Sequence, residues 1–225
     1  KYIINYSMFS ETCEMKVFLK ISLICLSLIY SSAAMSNNID DGFNYLKNKQ
    51  YRKAILIFKP LASKGNVLAQ YQFGEMLRKG QGTHKNYRYA MAYFKKAAKQ
   101  GHADSSYMVG EMYEKGSGVK VDIKKAIFWW RKAAFKGSAD AQINLGKMYF
   151  NGKGVKQDFI QSYAWSAVAS AQKFPLGTSN RNRVSLLMTS KEIEEGKKLA
   201  EIYWNKGVKP FQTGSHFTRP KLKFE

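Results

Sequence analysis

The feature of this 225-residue sequence that most constrains its fold is a gapless period of 36 residues. The period relates three copies between Asn66 and Ala171. The recurring sets are Gly74, Gly110 and Gly146; Met76, Met112 and Met148; Gly80, Gly116 and Gly152; Asn86, Asp122 and Asp158; and Ala97, Ala133 and Ala169. A fixed period of this size is typical of stacked-repeat architectures, in which each unit contacts only its neighbours. The pattern therefore predicts an all-α solenoid.

Each copy predicts a first helix (helix A), a glycine-rich loop and a second helix (helix B). In the second copy, we expect helix A from about Ala103 to Lys115 and helix B from Asp122, whose side chain can cap the first turn. Gly137 would end helix B in the left-handed conformation. Gly110 lies inside helix A, where glycine costs roughly 0.5–1 kcal/mol relative to alanine. We expect its missing side chain to let helix B pack closely.

The same register divides most of the chain into segments. A shortened first copy is expected at 39–65, in which Pro60 should end or kink the helix near Phe58. The remaining segments are three full repeats at 66–101, 102–137 and 138–173, a cap at 176–205 with helices at about Ser179–Met188 and Ser190–Asn205, and a flexible basic tail at 206–225.

The N-terminal segment has the pattern of a secretory signal. Residues 1–14 are interpreted as an upstream extension, and 15–34 as a signal peptide with a basic start, an apolar stretch and small residues at its end. Cleavage is expected near Ala33 or Ala34, which predicts export to the periplasm or beyond. An uncleaved N-terminal anchor is the alternative, although the apolar run is shorter than the roughly 20 residues that span a bilayer.

The copies also resemble a known family. Ala141–Tyr149, followed by Asn151–Val155 and Asp158, is similar to the Sel1-like repeat, a relative of the tetratricopeptide repeat. Lys125–Ala134 resembles the second helix of that repeat, and Phe58–Gly65 resembles the half-repeat that opens such arrays. The resemblance implies a right-handed superhelix of antiparallel helix pairs that holds protein partners. It also implies an exported bacterial adaptor in envelope processes or host interaction.

Charge and composition leave further functions open. The chain has 37 Lys and Arg against 16 Asp and Glu, a net charge of +21 that is spread along its length. Such an excess favours association with an anionic polymer or membrane surface, which is the alternative to the adaptor hypothesis. The simpler interpretation is a solvated lysine-rich surface. Nucleic acid is not expected as a partner.

No arrangement of residues predicts catalysis or a cofactor. The three histidines, His84, His102 and His216, lack acidic or cysteine companions at metal-ligand spacing, so no metal site is predicted. We therefore expect a protein that is not an enzyme and has no cofactor, with an envelope enzyme as the less favoured alternative.

Comparison between copies identifies candidate contact residues. Positions identical in all copies are interpreted as scaffold, whereas exposed positions that differ can specify a ligand. Two such positions lie three residues apart on one face of helix A, and we call them the helix-A rows. The first row is Gln72, Met108 and Asn144, and the second is Glu75, Glu111 and Lys147. We predict that they bind a protein or peptide partner and that the chain is a monomer; ordinary solvated surface is the alternative.

Overall fold

The computed structural model describes residues 39–208, and all regular secondary structure in that range is helical. It contains α1 (39–47), α2 (Tyr51–Ser63), α3 (Val67–Lys79), α4 (Tyr87–Lys99), α5 (Ala103–Lys115), α6 (Ile123–Ala134), α7 (Ala139–Asn151), α8 (Phe159–Ala171), α9 (Pro175–Ser185), α10 (Ser190–Tyr203) and a π-helical turn, Trp204–Val208. The predicted extension 1–14 and signal peptide 15–34 lie outside the described residues. The prediction of an all-α fold is confirmed.

The helix boundaries recur at the 36-residue step because the same capping chemistry recurs. Asn66, His102 and Ser138 each accept a hydrogen bond from the third backbone N–H of the helix A that follows. Helix B is capped in the same way, by Asn86, Asp122 and Asp158. Helix A ends each time at a glycine with φ of 74°, 70° or 66°, a left-handed conformation that L side chains rarely adopt. The sequence thus sets both ends of each repeat helix locally.

The described residues divide into two compact units on either side of a boundary between Ile57 and Phe58, and α2 runs across that boundary. In the first unit, α1 is followed by a tight turn in which Lys49 has φ of 57°. The Lys53 ammonium then lies 5.5 Å from the centre of the Tyr45 ring. Of the two expected effects of Pro60, an end or a kink of α2 near Phe58, the first is wrong, because the helix continues to Ser63. Pro60 lies on the exposed face of the helix, where water can satisfy the carbonyl that loses its partner.

In the second unit, each helix A packs on its own helix B and helix B packs on the next helix A. The mid-helix glycines lie at the closest approach of each pair. A Cβ on Gly110 would lie 2.5 Å from Trp130, and one on Gly74 would lie 2.7 Å from the Phe94 ring. Trp130 and Phe94 are both fully buried. The missing side chain therefore lets helix B pack closely, as the sequence predicts for Gly110, and the space is filled by an aromatic ring that is not predicted from the sequence.

The C-terminal cap departs from the repeat pattern. Pro175, at the first turn of α9, starts that helix earlier than expected, because its fixed φ suits the first helical turn. α10 then packs against α8, and it begins with a capping box between Thr189 and Glu192. The sequence predicts a flexible tail from residue 206, but Gly207 and Val208 are buried in the π-helical turn. The rest of the predicted tail, 209–225, lies outside the described residues.

Aromatic rings hold the cap to the repeats. Trp165 of α8 stacks on Tyr203 of α10, with ring centres 4.2 Å apart. Phe135, which follows α6, meets both rings edge-on at 5.2 and 5.6 Å. A Cβ on Gly207 would lie 2.5 Å from Phe135, so the π-helical turn also packs closely on this group. The end of α10 is thus fixed against side chains from two successive repeats.

Candidate functional site

The second helix-A row changes its charge environment along the repeats. Glu75 is bonded to the side chains of Arg78 and Lys79 at 2.7 and 2.6 Å, and only 10% of its side chain is exposed. Burial raises the pKa of Glu75, but the hydrogen bonds from these cations outweigh it and hold the pKa below its usual value. Glu111 pairs with Lys115 in the same way. The acidic positions of the first two repeats are therefore already neutralised by their own helices.

The third member of that row, Lys147, has the opposite charge. It is exposed and forms no ion pair with another residue in the range 39–208. The row therefore runs from internally paired carboxylates to a cation with no carboxylate beside it.

The first helix-A row is less exposed than the sequence comparison supposed. Gln72 and Asn144 are half-buried, whereas Met108 is only 7% exposed. The Asn144 side chain lies close enough to Tyr107 of the preceding helix A to lower the pKa of its hydroxyl, so this row lies beside the preceding repeat. Burial raises the pKa of Tyr107 to about 12, and Glu111 and Asp140 add to the shift. The expectation of an exposed position thus fails for Met108 and for the largely buried Glu75, and their role in binding stays a prediction.

Other polar side chains join helices between and within repeats and are part of the scaffold. The Lys95 ammonium donates to the Tyr113 hydroxyl at 3.0 Å, and Arg131 donates to Tyr149 one period later. These two contacts link successive repeats. Within the first repeat, the Gln100 amide donates to the Gln70 side chain at 2.9 Å. The same bond recurs two periods later, where Gln172 donates to Gln142 at 2.7 Å.

A cavity of about 190 Å³ lies between α7, α8 and α9. Its lining residues are Gly146, Lys147, Phe150, Asn151, Ser162, Asn180, Arg183 and Val184. The site predicted from sequence includes one of these, Lys147, and missed the others. The signal that could have found the cavity is Ser166, which stands where the first two repeats have Phe94 and Trp130.

Polar groups in and beside the cavity lack partners. Within residues 39–208, the buried amide nitrogen of Asn180 has no acceptor and the buried Ser166 hydroxyl has no hydrogen-bond partner. The Ser162 hydroxyl, by contrast, donates to the Gly146 carbonyl at 2.8 Å. The Arg183 guanidinium lies 5.0 Å from the centre of the Phe150 ring and forms no ion pair with a described residue. The site therefore offers donors and positive charge without an acidic side chain in its lining.

Two further findings concern metal ions and membranes. Within residues 39–208, no group of three or more His, Cys, Asp or Glu side chains could hold a metal ion. His102 is used in structure instead, since its Nδ1 accepts the Ser105 N–H at 3.2 Å. None of the helices in the described part of the chain is long and apolar enough to cross a bilayer.

A family model places three consecutive units on the repeats described above. The Sel1 repeat model matches residues 67–102, 103–138 and 139–174, each of which holds one helix A and one helix B. This chain is a Sel1-like repeat protein. Proteins of this family are generally scaffolds for protein–protein interaction and are typically not enzymes. The prediction of family from the sequence is thereby confirmed.

Solved structures of Sel1-like repeat proteins share the fold. A Sel1 repeat protein from Oxalobacter formigenes is 24% identical, with a TM-score of 0.62, over 75% of this chain and 70% of that one. A protective antigen from uropathogenic Escherichia coli strains, which has the SLR fold, is 24% identical with a TM-score of 0.56. That match covers 83% of this chain but only 50% of the antigen, so the chain spans half its length. No curated protein matches the sequence significantly.

Proposed function

We propose that this Sel1-like repeat protein is an exported, non-enzymatic scaffold that binds a protein or peptide along its helix-A rows. The observation that carries the proposal is the contrast between neighbouring positions on helix A. The glycine and methionine positions are the same in all three repeats, whereas the two rows differ in charge and polarity. A scaffold that only had to stack would not need this variation.

The rows offer a partner a defined chemical sequence. Gln72 and Asn144 have amide groups, which can pair with a peptide backbone as donor and acceptor. Lys147 adds a cation at the third repeat, and no carboxylate of residues 39–208 is paired with it. A partner that places an acidic group against the third repeat would therefore match this surface.

The binding surface can be tested with charge-neutral double variants of the whole chain. Glu111→Gln with Lys147→Gln changes the second row, and Lys124→Gln with Glu201→Gln changes two exposed residues on α6 and α10 by the same net charge. Each protein would be cross-linked in envelope extracts, and the captured proteins compared at low and high salt. A partner lost only with the row variant supports the proposal. Partners that bind both variants equally would refute the assigned surface.

Export is proposed from the N-terminal pattern alone. The basic start, apolar stretch and small residues at 15–34 match a cleavable secretory signal. Expression in a bacterial host, followed by fractionation and mass spectrometry of the N-terminus, tests it. A new N-terminus near Ala33 or Ala34 in the exported fraction is expected. Full-length protein that stays in the cytoplasm would overturn the export proposal.

The second candidate function is binding of an anionic polymer or membrane surface. The net charge of +21 favours it, together with exposed lysines on helix B such as Lys99, Lys124 and Lys132. Such binding should weaken steeply with salt, because the polyanion takes back its counterions. Titration with heparin or anionic vesicles at two salt concentrations distinguishes it from a partner that binds through the helix-A rows.

A further inference from the structure

We propose that the cavity between α7, α8 and α9 binds a carboxylate group carried on a short aliphatic stem. Three features of its lining carry the proposal: an amide donor without an acceptor, two cations without an acidic partner, and an apolar wall. Each points to the same ligand chemistry.

The amide donor is the inner contact. The Asn180 Nδ2 is buried, lines the cavity and has no hydrogen-bond partner in the described part of the chain. A buried donor left unpaired has lost its hydrogen bonds to water without gaining others, which destabilises the folded protein. A ligand oxygen that accepts from it would recover that cost.

The two cations are Lys147 and Arg183, both exposed residues that contribute to the lining. Neither has an ion-pair partner within residues 39–208, and no Asp or Glu lines the cavity. Phe150 lies beside the Arg183 guanidinium, which favours one orientation of that planar group. Two cations and an amide N–H match an anion with two acceptor oxygens, as in a carboxylate.

The size and the wall define the rest of the ligand. Val184, which is 1% exposed, and Phe150 provide apolar contacts for methylene groups. A volume of about 190 Å³ exceeds the ~30 Å³ share of one water. It is smaller than the ~300–1,000 Å³ of pockets that enclose larger organic ligands. The carboxylate can therefore come from a free short-chain acid, or from the end or acidic side chain of a peptide.

The first experiment uses the whole chain and glutarate as the probe, with neutral glutaramide as its control. The NMR signals of the Asn180 side-chain amide protons should shift and saturate with glutarate and not with glutaramide. A peptide with a free C-terminal carboxylate and its amidated form separate the two sources. Tighter binding of the free-acid peptide than of glutarate identifies a peptide, and the reverse order identifies a small acid. Equal binding of glutarate and glutaramide, or no saturable shift with either acid, would overturn the proposal.

Variants of the lining residues test whether glutarate binds in this cavity. Arg183→Gln and Asn180→Leu should each weaken glutarate binding about tenfold, which is typical of losing a charged or buried polar contact. Arg181→Gln makes the same charge change on α9 outside the lining, and should leave the affinity within about twofold. Equal effects of the Arg181 and Arg183 variants would refute a built site and leave only general attraction to positive charge.

This inference shares Lys147 with the proposed function, but Asn180 and Arg183 lie outside the helix-A rows. Partner capture that survives Arg183→Gln, together with glutarate binding that is lost, would support two separate sites. Failure of the row variant to change partner capture would refute the proposed function and leave the cavity proposal intact.

Discussion

Replacing Gly110 with alanine tests how closely the helices of one repeat pack. Helix propensity alone favours the change by up to about 1 kcal/mol, since glycine is a poor residue inside a helix. The structure opposes it, because the new Cβ would lie 2.5 Å from Cδ1 and 2.6 Å from Nε1 of Trp130, and 3.1 Å from the Ala126 carbonyl oxygen. Trp130 is fully buried, so its ring has no solvent to move into.

The cost of forcing extra atoms into a packed core is typically about 1–3 kcal/mol. Because two of the contacts are shorter than 3.0 Å, we take the upper part of that range, about 2–3 kcal/mol. After the gain in propensity of up to about 1 kcal/mol, we expect Gly110→Ala to destabilise the protein by about 1–2 kcal/mol. For a chain of this size, that lowers the melting temperature by roughly 2–8 °C. Thermal and urea denaturation followed by circular dichroism measure it, and hydrogen exchange in α5 and α6 shows whether the loss is local.

The third repeat supplies the matched control. A Cβ on Gly146 would meet mainly the Ser166 hydroxyl at 2.7 Å, and its next neighbour, the Ser162 carbonyl oxygen, lies 3.4 Å away. The small Ser166 side chain can rotate, whereas an indole ring cannot. Gly146→Ala should therefore cost less than Gly110→Ala and can be stabilising through helix propensity. A melting temperature raised by Gly110→Ala, or an equal loss at both positions, would refute the packing argument.

Substitutions at four further positions test local features. Burial lowers the pKa of His102 below 6.5, although Asp104 opposes the shift; unfolding therefore takes up a proton, and stability should fall as the pH drops below about 6.5. Urea titrations from pH 5 to 8 should show that slope reduced in His102→Asn, which keeps a capping acceptor. The pKa of Glu75 is held below 4.5, so its contribution to the free energy of unfolding is present above pH 4.5 and is lost as the pH falls. Glu75→Gln should reduce this loss of stability in denaturation measured at pH 2–5. Asn66→Ala removes the α3 cap, a 2.9 Å bond, and should cost about 1 kcal/mol in urea unfolding, whereas Asn66→Ser should retain most of it. Lys173 has φ of 65° where the earlier repeats have glycine, so Lys173→Gly should stabilise by about 0.5–1 kcal/mol in the same assay, and a loss of stability would contradict the strain argument.

The repeat units could be predicted because their determinants are local and are written three times. A cap such as Asp122, a left-handed end such as Gly116 and a close-packed glycine such as Gly110 each act within one helix or one helix pair. The period then identifies which residues play equivalent roles. This is why the helix limits of the second copy follow from the sequence, with Ala103–Lys115 as predicted.

The cap could not be predicted in the same way, because no earlier copy sets its register. Docking of α10 on α8 depends on Tyr203 meeting Trp165 across a sequence separation with no periodic signal. The early start of α9 at Pro175 and the ordered turn through Val208 are likewise set by packing. Pro60 shows that a local rule can also mislead. The rule predicts that proline ends or kinks a helix, but α2 continues through Pro60, which occupies an exposed position.

The solvent exposure of the candidate site residues could also not be predicted from the sequence. The residues of the helix-A rows vary between copies, but variation between copies does not indicate whether a side chain is exposed or buried. Met108 varies between the copies and is nevertheless buried. The cavity residues of α9 have no counterpart in the earlier repeats, so comparison between copies could not identify them.

The departures from the repeat pattern gather in the third copy, and together they change its chemistry. Ser166 replaces an aromatic ring, Lys147 replaces a glutamate, and Lys173 replaces a glycine. Among the described residues, the first leaves a buried hydroxyl unpaired and the second leaves a cation without the intrahelical ion pairs of its counterparts. The third puts a side chain in a left-handed conformation. Each substitution gives up a stabilising feature that the first two copies retain. Two of the three changes also lie at or beside one cavity, where they leave room and positive charge. Stacking alone does not account for that coincidence, whereas a binding role for the junction of the third repeat and its cap does.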